Sequence, residues 1–147
     1  MESNKQKQTI LFVCVHNSAR SQMAEAFINN YYGEKYFAES AGIKPGKLNQ
    51  NVVKVMNEIG IDISNNRTKD VNEFLKAGKS FNYVITVCER EAAEKCPIFP
   101  GVSKRLEWSF SDPSKLTGTP VEVLGSTRII REEIKEKIKD WVESLGN

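Results

Sequence analysis

Thr9-Ile10-Leu11-Phe12-Val13-Cys14-Val15 is a near-continuous apolar run that carries a cysteine near its end. A run without polar alternation reads as a strand buried on both faces, as in a parallel sheet with helices above and below. His16-Asn17-Ser18-Ala19-Arg20-Ser21 follows it, and Ala19, Met23, Ala26 and Phe27 then recur at helical spacing, with Glu25 on the other side. Strand, tight loop and helix in that order gather backbone N–H groups and the positive end of a helix around one point. Such a cup holds a tetrahedral oxyanion.

The side chains in the loop fit that reading. Arg20 offers a planar fork for two oxyanion oxygens, which a lysine cannot match. Asn17 is suited to a left-handed turn, because Asn tolerates that conformation best after Gly. Cys14 lies at the base of the cup. A free thiol is mostly protonated at pH 7, and the helix N-terminus, Arg20 and the Ser21 hydroxyl are the groups that favour its ionised form. The expected anion-binding set is Val15, His16, Asn17, Ser18, Ala19, Arg20 and Ser21.

The rest of the chain alternates strands and helices. A second strand is expected over 36–41. Asn49 is placed to cap a helix with Val52, Val55, Met56 and Ile59 inward, stopped by Gly60. Asp70 and Glu73 form a capping pair for a short helix that ends at Gly78. A third buried strand lies within 81–88 and a fourth within 105–110. The last helix carries Ile130, Ile134, Ile138, Trp141, Val142 and Leu145 at helical spacing. This pattern predicts an α/β domain of three layers, a four-stranded parallel sheet with helices on both faces, which we take in the doubly wound order 2-1-3-4. A polar tail over 1–8 precedes a single domain over 9–147.

Composition narrows the function. The net charge of +2 gives no reason to expect nucleic acid or an anionic membrane as a partner. The start has no apolar signal core, and no run has membrane-spanning length. A cytoplasmic location is therefore expected, in which three cysteines stay reduced. With no C-x-x-C and one histidine, no zinc site is expected. Ala77-Gly78-Lys79-Ser80 has the tail of a phosphate-binding P-loop, but Glu73 stands where its first glycine belongs.

Three further residues add chemistry. Cys88 ends the third strand as Cys14 ends the first, and in a 2-1-3-4 sheet those strands are neighbours flanking the ligand-binding crevice. Parallel neighbours lie ~4.8 Å apart, and a disulfide needs Cα atoms ~4.4–6.8 Å apart. Cys96 follows Cys88 after a segment of good helix formers. A continuous helix there would hold the two Cα atoms ~12 Å apart, so bonding them requires a loop or an unwound segment. Pro97 makes the end of that segment easy to melt. Free cysteines often do no more than pack, but together with Cys14 these two form a set of three thiols at one rim. Asp112-Pro113 follows the fourth strand, where an aspartic acid can protonate a leaving oxygen.

Taken together, these residues resemble the arsenate reductases of the thioredoxin-coupled type, relatives of the low-molecular-weight protein tyrosine phosphatases. The resemblance spans nearly the whole chain. It rests on Cys14 to Arg20 with Ser21-Gln22-Met23-Ala24-Glu25, on Cys88, on Cys96-Pro97, and on Trp108 to Pro113. Ser114 and Lys115 follow Asp-Pro where the phosphatases usually carry tyrosine. His16 replaces a glycine common among relatives, and Ala19 stands where some have cysteine.

The resemblance implies Cys14, Arg20, Asp112, Cys88 and Cys96 as catalytic residues. It also implies arsenate as substrate, thioredoxin as external reductant, no resident cofactor and a monomer acting in arsenic detoxification. It further implies a monovalent-cation site near Asn17, Glu25, Ser40 and Asp70. Two other readings stay open. One is a phosphatase that forms a Cys14 phosphoenzyme and needs neither other thiol. The other is a non-catalytic module that senses an anion or a redox partner.

Overall fold

The computed structural model describes residues 7–101 and 104–145, so residues 1–6 of the expected tail lie outside the described residues. Its sheet is four-stranded and parallel, ordered β2-β1-β3-β4. The strands are β1 (Gln8–Cys14), β2 (Tyr36–Gly42), β3 (Tyr83–Thr86) and β4 (Lys104–Glu107). The central strand β1 pairs Cys14 with Gly42 on one side and Val13 with Thr86 on the other.

The apolar run of β1 is divided by the pleat between two cores. Ile10, Phe12 and Cys14 face a large core with helix α1 (Arg20–Tyr31), helix α2 (Gln50–Glu58) and the long C-terminal helix. Leu11 and Val13 face a smaller core with Val71 and Phe74 of α3 (Val71–Lys76), and with Phe81, Cys96 and Phe99. This explains why β1 shows no polar alternation.

The helix ends follow local rules, with two departures. Asn49 caps α2 by accepting from the N–H groups of Asn51 and Val52. Asp70 caps α3 through Asn72 N, but Glu73 does not close the expected reciprocal box. Its carboxylate instead meets the Arg67 guanidinium at 3.2 Å. The helix-forming run after Cys88 yields only a single turn, α4 (Arg90–Ala93). Arg105 on β4 donates to the carbonyls of Ala93 and Cys96 at 2.9 and 3.2 Å, holding the chain in a turn there. The strand expected over 105–110 is shorter and starts at Lys104, although Trp108 N still donates to Thr86 O.

The C-terminal helix, α5 (Pro120–Ser144), opens on a complete Thr119–Glu122 capping box. It buries Ile130, Ile134, Ile138 and Val142. Arg131 on the same helix donates to Val55 O at 2.8 Å and meets Glu58 at 3.0 Å, tying α5 to α2. No helix among the described residues is long and apolar enough to cross a membrane. Ile134 is wholly buried at the centre of this packing. Ile134→Ala is expected to lower unfolding free energy by about 2–5 kcal/mol, measured by urea denaturation. A loss below about 1 kcal/mol would show that α5 is not anchored as described.

Candidate active site

The loop between β1 and α1 is shaped by what its carbonyls do. The carbonyls of Cys14, Val15, His16 and Ser18 accept from the N–H groups of Ile43, Lys44, Gly46 and Asn49, at 2.8–3.1 Å. In a planar trans peptide, C=O and N–H point opposite ways. Carbonyls turned outward therefore turn the N–H groups of the following residues inward. The one inward N–H with a protein partner shows the direction: Asn17 N donates to Cys14 Sγ at 3.1 Å. Ala19, at the N-cap of α1, has no side chain to accept from the first-turn N–H groups, so they stay available to an anion.

Two residues permit this curvature. Asn17 is left-handed, at φ 55°. Its buried side chain is held from several sides: Oδ1 accepts from Lys69 N (2.9 Å) and Gln22 Nε2 (3.1 Å), while Nδ2 donates to Ser21 Oγ (2.7 Å). Gly42, beside Cys14 on β2, permits the loop's close approach. A Cβ there would lie 2.8–2.9 Å from backbone atoms of Val15, His16 and Asn17.

Cys14 Sγ sits 2.9 Å from Ser21 Oγ as well as receiving the Asn17 N–H. Hydrogen bonds of this kind strengthen when the sulfur carries negative charge. The Arg20 guanidinium is buried above the loop. Its Nη1 donates to Glu89 Oε2 at 2.9 Å and to Phe110 O at 3.2 Å, and its Nη2 lies 3.4 Å from Asp112 Oδ2. Asp112 Oδ1 accepts from Ser114 N at 2.9 Å. Cys14, His16, Ser18, Ala19, Arg20, Asp112 and Ser114 line one small cleft. His16 is exposed at its rim and anchors the loop through a 2.7 Å bond between Nδ1 and Lys44 O.

The other two thiols are distributed differently from the expectation that all three gather at one rim. All three cysteines are free and buried. Cys88 shares the large core with Cys14, its Sγ 4.0 Å from Val13 O. Cys96 packs in the smaller core, with Leu11 and Val13 on the other face of the sheet. The segment from Cys88 to Cys96 thus passes from one core to the other. Burial, then the charge of Cys14, pushes the Cys88 thiol up from 9.0 to about 12. Burial also raises the Cys96 thiol, with Arg105 opposing.

The residues expected around a monovalent cation are partly drawn together. Ser40 Oγ donates to Glu25 Oε1, and Lys69 Nζ lies 3.5 Å from the same oxygen. Asp70 caps α3 and bridges to Gly42 through the backbone. An ammonium group from the chain itself thus sits against Glu25, just behind Asn17. Sequence reasoning gives no site role to Lys69, Arg105 or Glu89, and counts Gln22 only within the motif after Arg20. Only Glu89 carries a local signal, a carboxylate placed directly after Cys88, which the structure puts two residues beyond the end of β3.

Two outcomes follow. Gly42→Ala forces the β2 backbone away from the loop and is expected to weaken inorganic phosphate binding by at least tenfold in calorimetry. Unchanged affinity would show that the loop does not depend on that approach. Cys88, whose thiol is raised in the folded state, releases its proton more readily when unfolded. Its contribution to stability is full below pH 9 and is lost as pH rises towards about 12. Stability should therefore fall across that window, and less steeply in Cys88→Ala. Equal slopes would contradict the burial argument.

Comparison with known proteins places this geometry. The low molecular weight phosphotyrosine protein phosphatase family matches residues 9–147. An arsenate reductase of Shouchella clausii is 41% identical over 138 residues, covering 94% of this chain and 97% of that protein. A solved arsenate reductase in its phosphate-binding state superposes with a TM-score of 0.72 at 25% identity, over 93% of this chain and 98% of the other. A thioredoxin-dependent arsenate reductase of Corynebacterium glutamicum superposes at 0.63 with 27% identity, over 92% of this chain and 64% of the other. With a loop of this construction and agreement along nearly its whole length, the chain belongs to the low molecular weight phosphotyrosine protein phosphatase family and groups there with the arsenate reductases.

Proposed function

We propose that this protein reduces arsenate to arsenite through a relay of three thiols, with thioredoxin as the external reductant. The observation that carries the reading is Cys88, a second thiol packed in the same core as Cys14 and close enough to feel its charge. A phosphatase needs no such group. The relatives at about 40% identity are arsenate reductases, which supports the same choice.

Arsenate enters the loop at 15–21 and takes the inward N–H groups and the Arg20 fork. The Cys14 thiolate attacks arsenic, and Asp112, having taken a proton from the entering dihydrogen arsenate, passes it to the departing oxygen, which leaves as water. Once bonded to arsenic, Cys14 no longer carries the charge that helps to raise Cys88. Cys88 then ionises more easily and attacks the Cys14 sulfur. The sulfur–arsenic electron pair stays on arsenic, taking it from As(V) to As(III), and arsenite departs. A Cys14–Cys88 disulfide remains. Cys96 attacks Cys88 and frees the Cys14 thiolate, leaving a Cys88–Cys96 disulfide for thioredoxin to reduce.

The last exchange requires Cys96 to leave the smaller core. The connecting segment suits this, being a single helical turn followed by turns, with Pro97 after Cys96. No resident cofactor is called for, and the cytoplasm is the compartment that keeps the resting thiols reduced. We assign Lys69 the charge that the expected monovalent cation would otherwise supply beside Glu25.

The test couples arsenate to NADPH oxidation through thioredoxin and thioredoxin reductase, beside hydrolysis of p-nitrophenyl phosphate. Arsenate-dependent oxidation is expected to require Cys14, Cys88 and Cys96. Cys88→Ser should abolish turnover while leaving any phosphatase activity in place. Hydrolysis without arsenate-dependent oxidation would overturn the reading in favour of the phosphatase.

A further inference from the structure

Arg20 is buried, and its guanidinium meets three acceptors from the protein itself. Two of them are held in place. Phe110 contributes a backbone carbonyl, and the Asp112 side chain is 10% exposed and fixed by the Ser114 N–H. The third differs. The Glu89 side chain is 45% exposed, yet its Oε2 makes the shortest contact of the three, 2.9 Å from Nη1. Glu89 stands at the N-cap of the single-turn α4 without making a side-chain cap, and its carboxylate reaches Arg20 instead. Burial by itself would raise that carboxyl. Its own backbone N–H, Arg20 and Lys115 outweigh burial and hold it low, so it is anionic at neutral pH.

A solvent-facing carboxylate thus holds one prong of the arginine that the loop offers to an anion. We propose that Glu89 is an internal competitor for the oxyanion. It occupies Arg20 in the empty enzyme, and an incoming arsenate or phosphate must displace it, which frees the residue bonded directly to Cys88. The position in the chain gives the displacement its consequence. Cys88 is held against Val13 O, and its neighbour is tethered to Arg20. When the anion takes the guanidinium, that tether is lost, and Cys88 can leave its packed position towards Cys14. Glu89 is thus a specificity-setting and positioning residue. It lowers affinity for weak oxyanions and links occupancy of the loop to release of the second thiol. The part concerning Cys88 rests on the relay proposed above.

The experiment uses the reduced full chain and its Glu89→Gln and Glu89→Ala variants. Calorimetry with inorganic phosphate is expected to show affinity raised roughly fivefold to tenfold in both variants, the range expected for removing one competing charge. The gain should shrink at high ionic strength. Alkylation of Cys88 by iodoacetamide, followed by mass spectrometry, reads the coupling. Saturating phosphate should speed labelling of Cys88 several-fold in the parent, and have little effect in Glu89→Gln, where labelling is already fast. Unchanged or weaker phosphate affinity in the variants would overturn the competitor role. Tighter affinity with Cys88 labelling indifferent to phosphate in the parent would overturn the coupling. These results separate from those of the reductase reading. Absent arsenate turnover with the affinity shift present strikes the reading, whereas normal turnover with no shift strikes this inference alone.

Discussion

The outward turn of four loop carbonyls is the constraint on which the site depends. Ile43, Lys44, Gly46 and Asn49 supply the N–H groups that hold them, all from the connection between β2 and α2. Because the peptide is planar, fixing the carbonyls on one side fixes N–H groups on the other. The anion cup is thus made by a second segment of chain gripping the first from behind. The grip needs a close approach, which explains the lack of a side chain at Gly42. It also needs Asn17 in a left-handed conformation, and the clasp from Gln22 and Lys69 supports that choice.

Charge is organised around the same loop. A buried guanidinium must find acceptors, and Arg20 finds three within the protein. Behind the loop, Glu25 meets a lysine ammonium and a serine hydroxyl. The site thus sets two carboxylates against Arg20 and one against Lys69. On the competitor role proposed for Glu89, an entering anion exchanges one partner of Arg20 for another.

The thiols are graded by their surroundings. Cys14 Sγ lies between Ser21 Oγ and the Asn17 N–H, while burial raises the thiols of Cys88 and Cys96. Placing Cys96 on the far face of the sheet means that the proposed relay includes a movement of chain. The segment involved is short in regular structure and pinned by Arg105.

Much of this was legible in the order of residues. The unbroken apolar run of β1, the loop after Cys14, the Asn49 and Asp70 caps and the period of the last helix are local patterns, and each appears where local physics puts it. A parallel sheet covered on both faces followed from the alternation of strand and helix, and the observed order is the doubly wound 2-1-3-4. Distant pairings had no such signature. That Lys69 stands beside Glu25, that Glu89 reaches Arg20, and that Cys88 and Cys96 lie in opposite cores each depend on segments far apart in the chain coming together. Propensity and periodicity act over a few residues, whereas a salt bridge across the cleft or a thiol's choice of core is settled by how the layers pack.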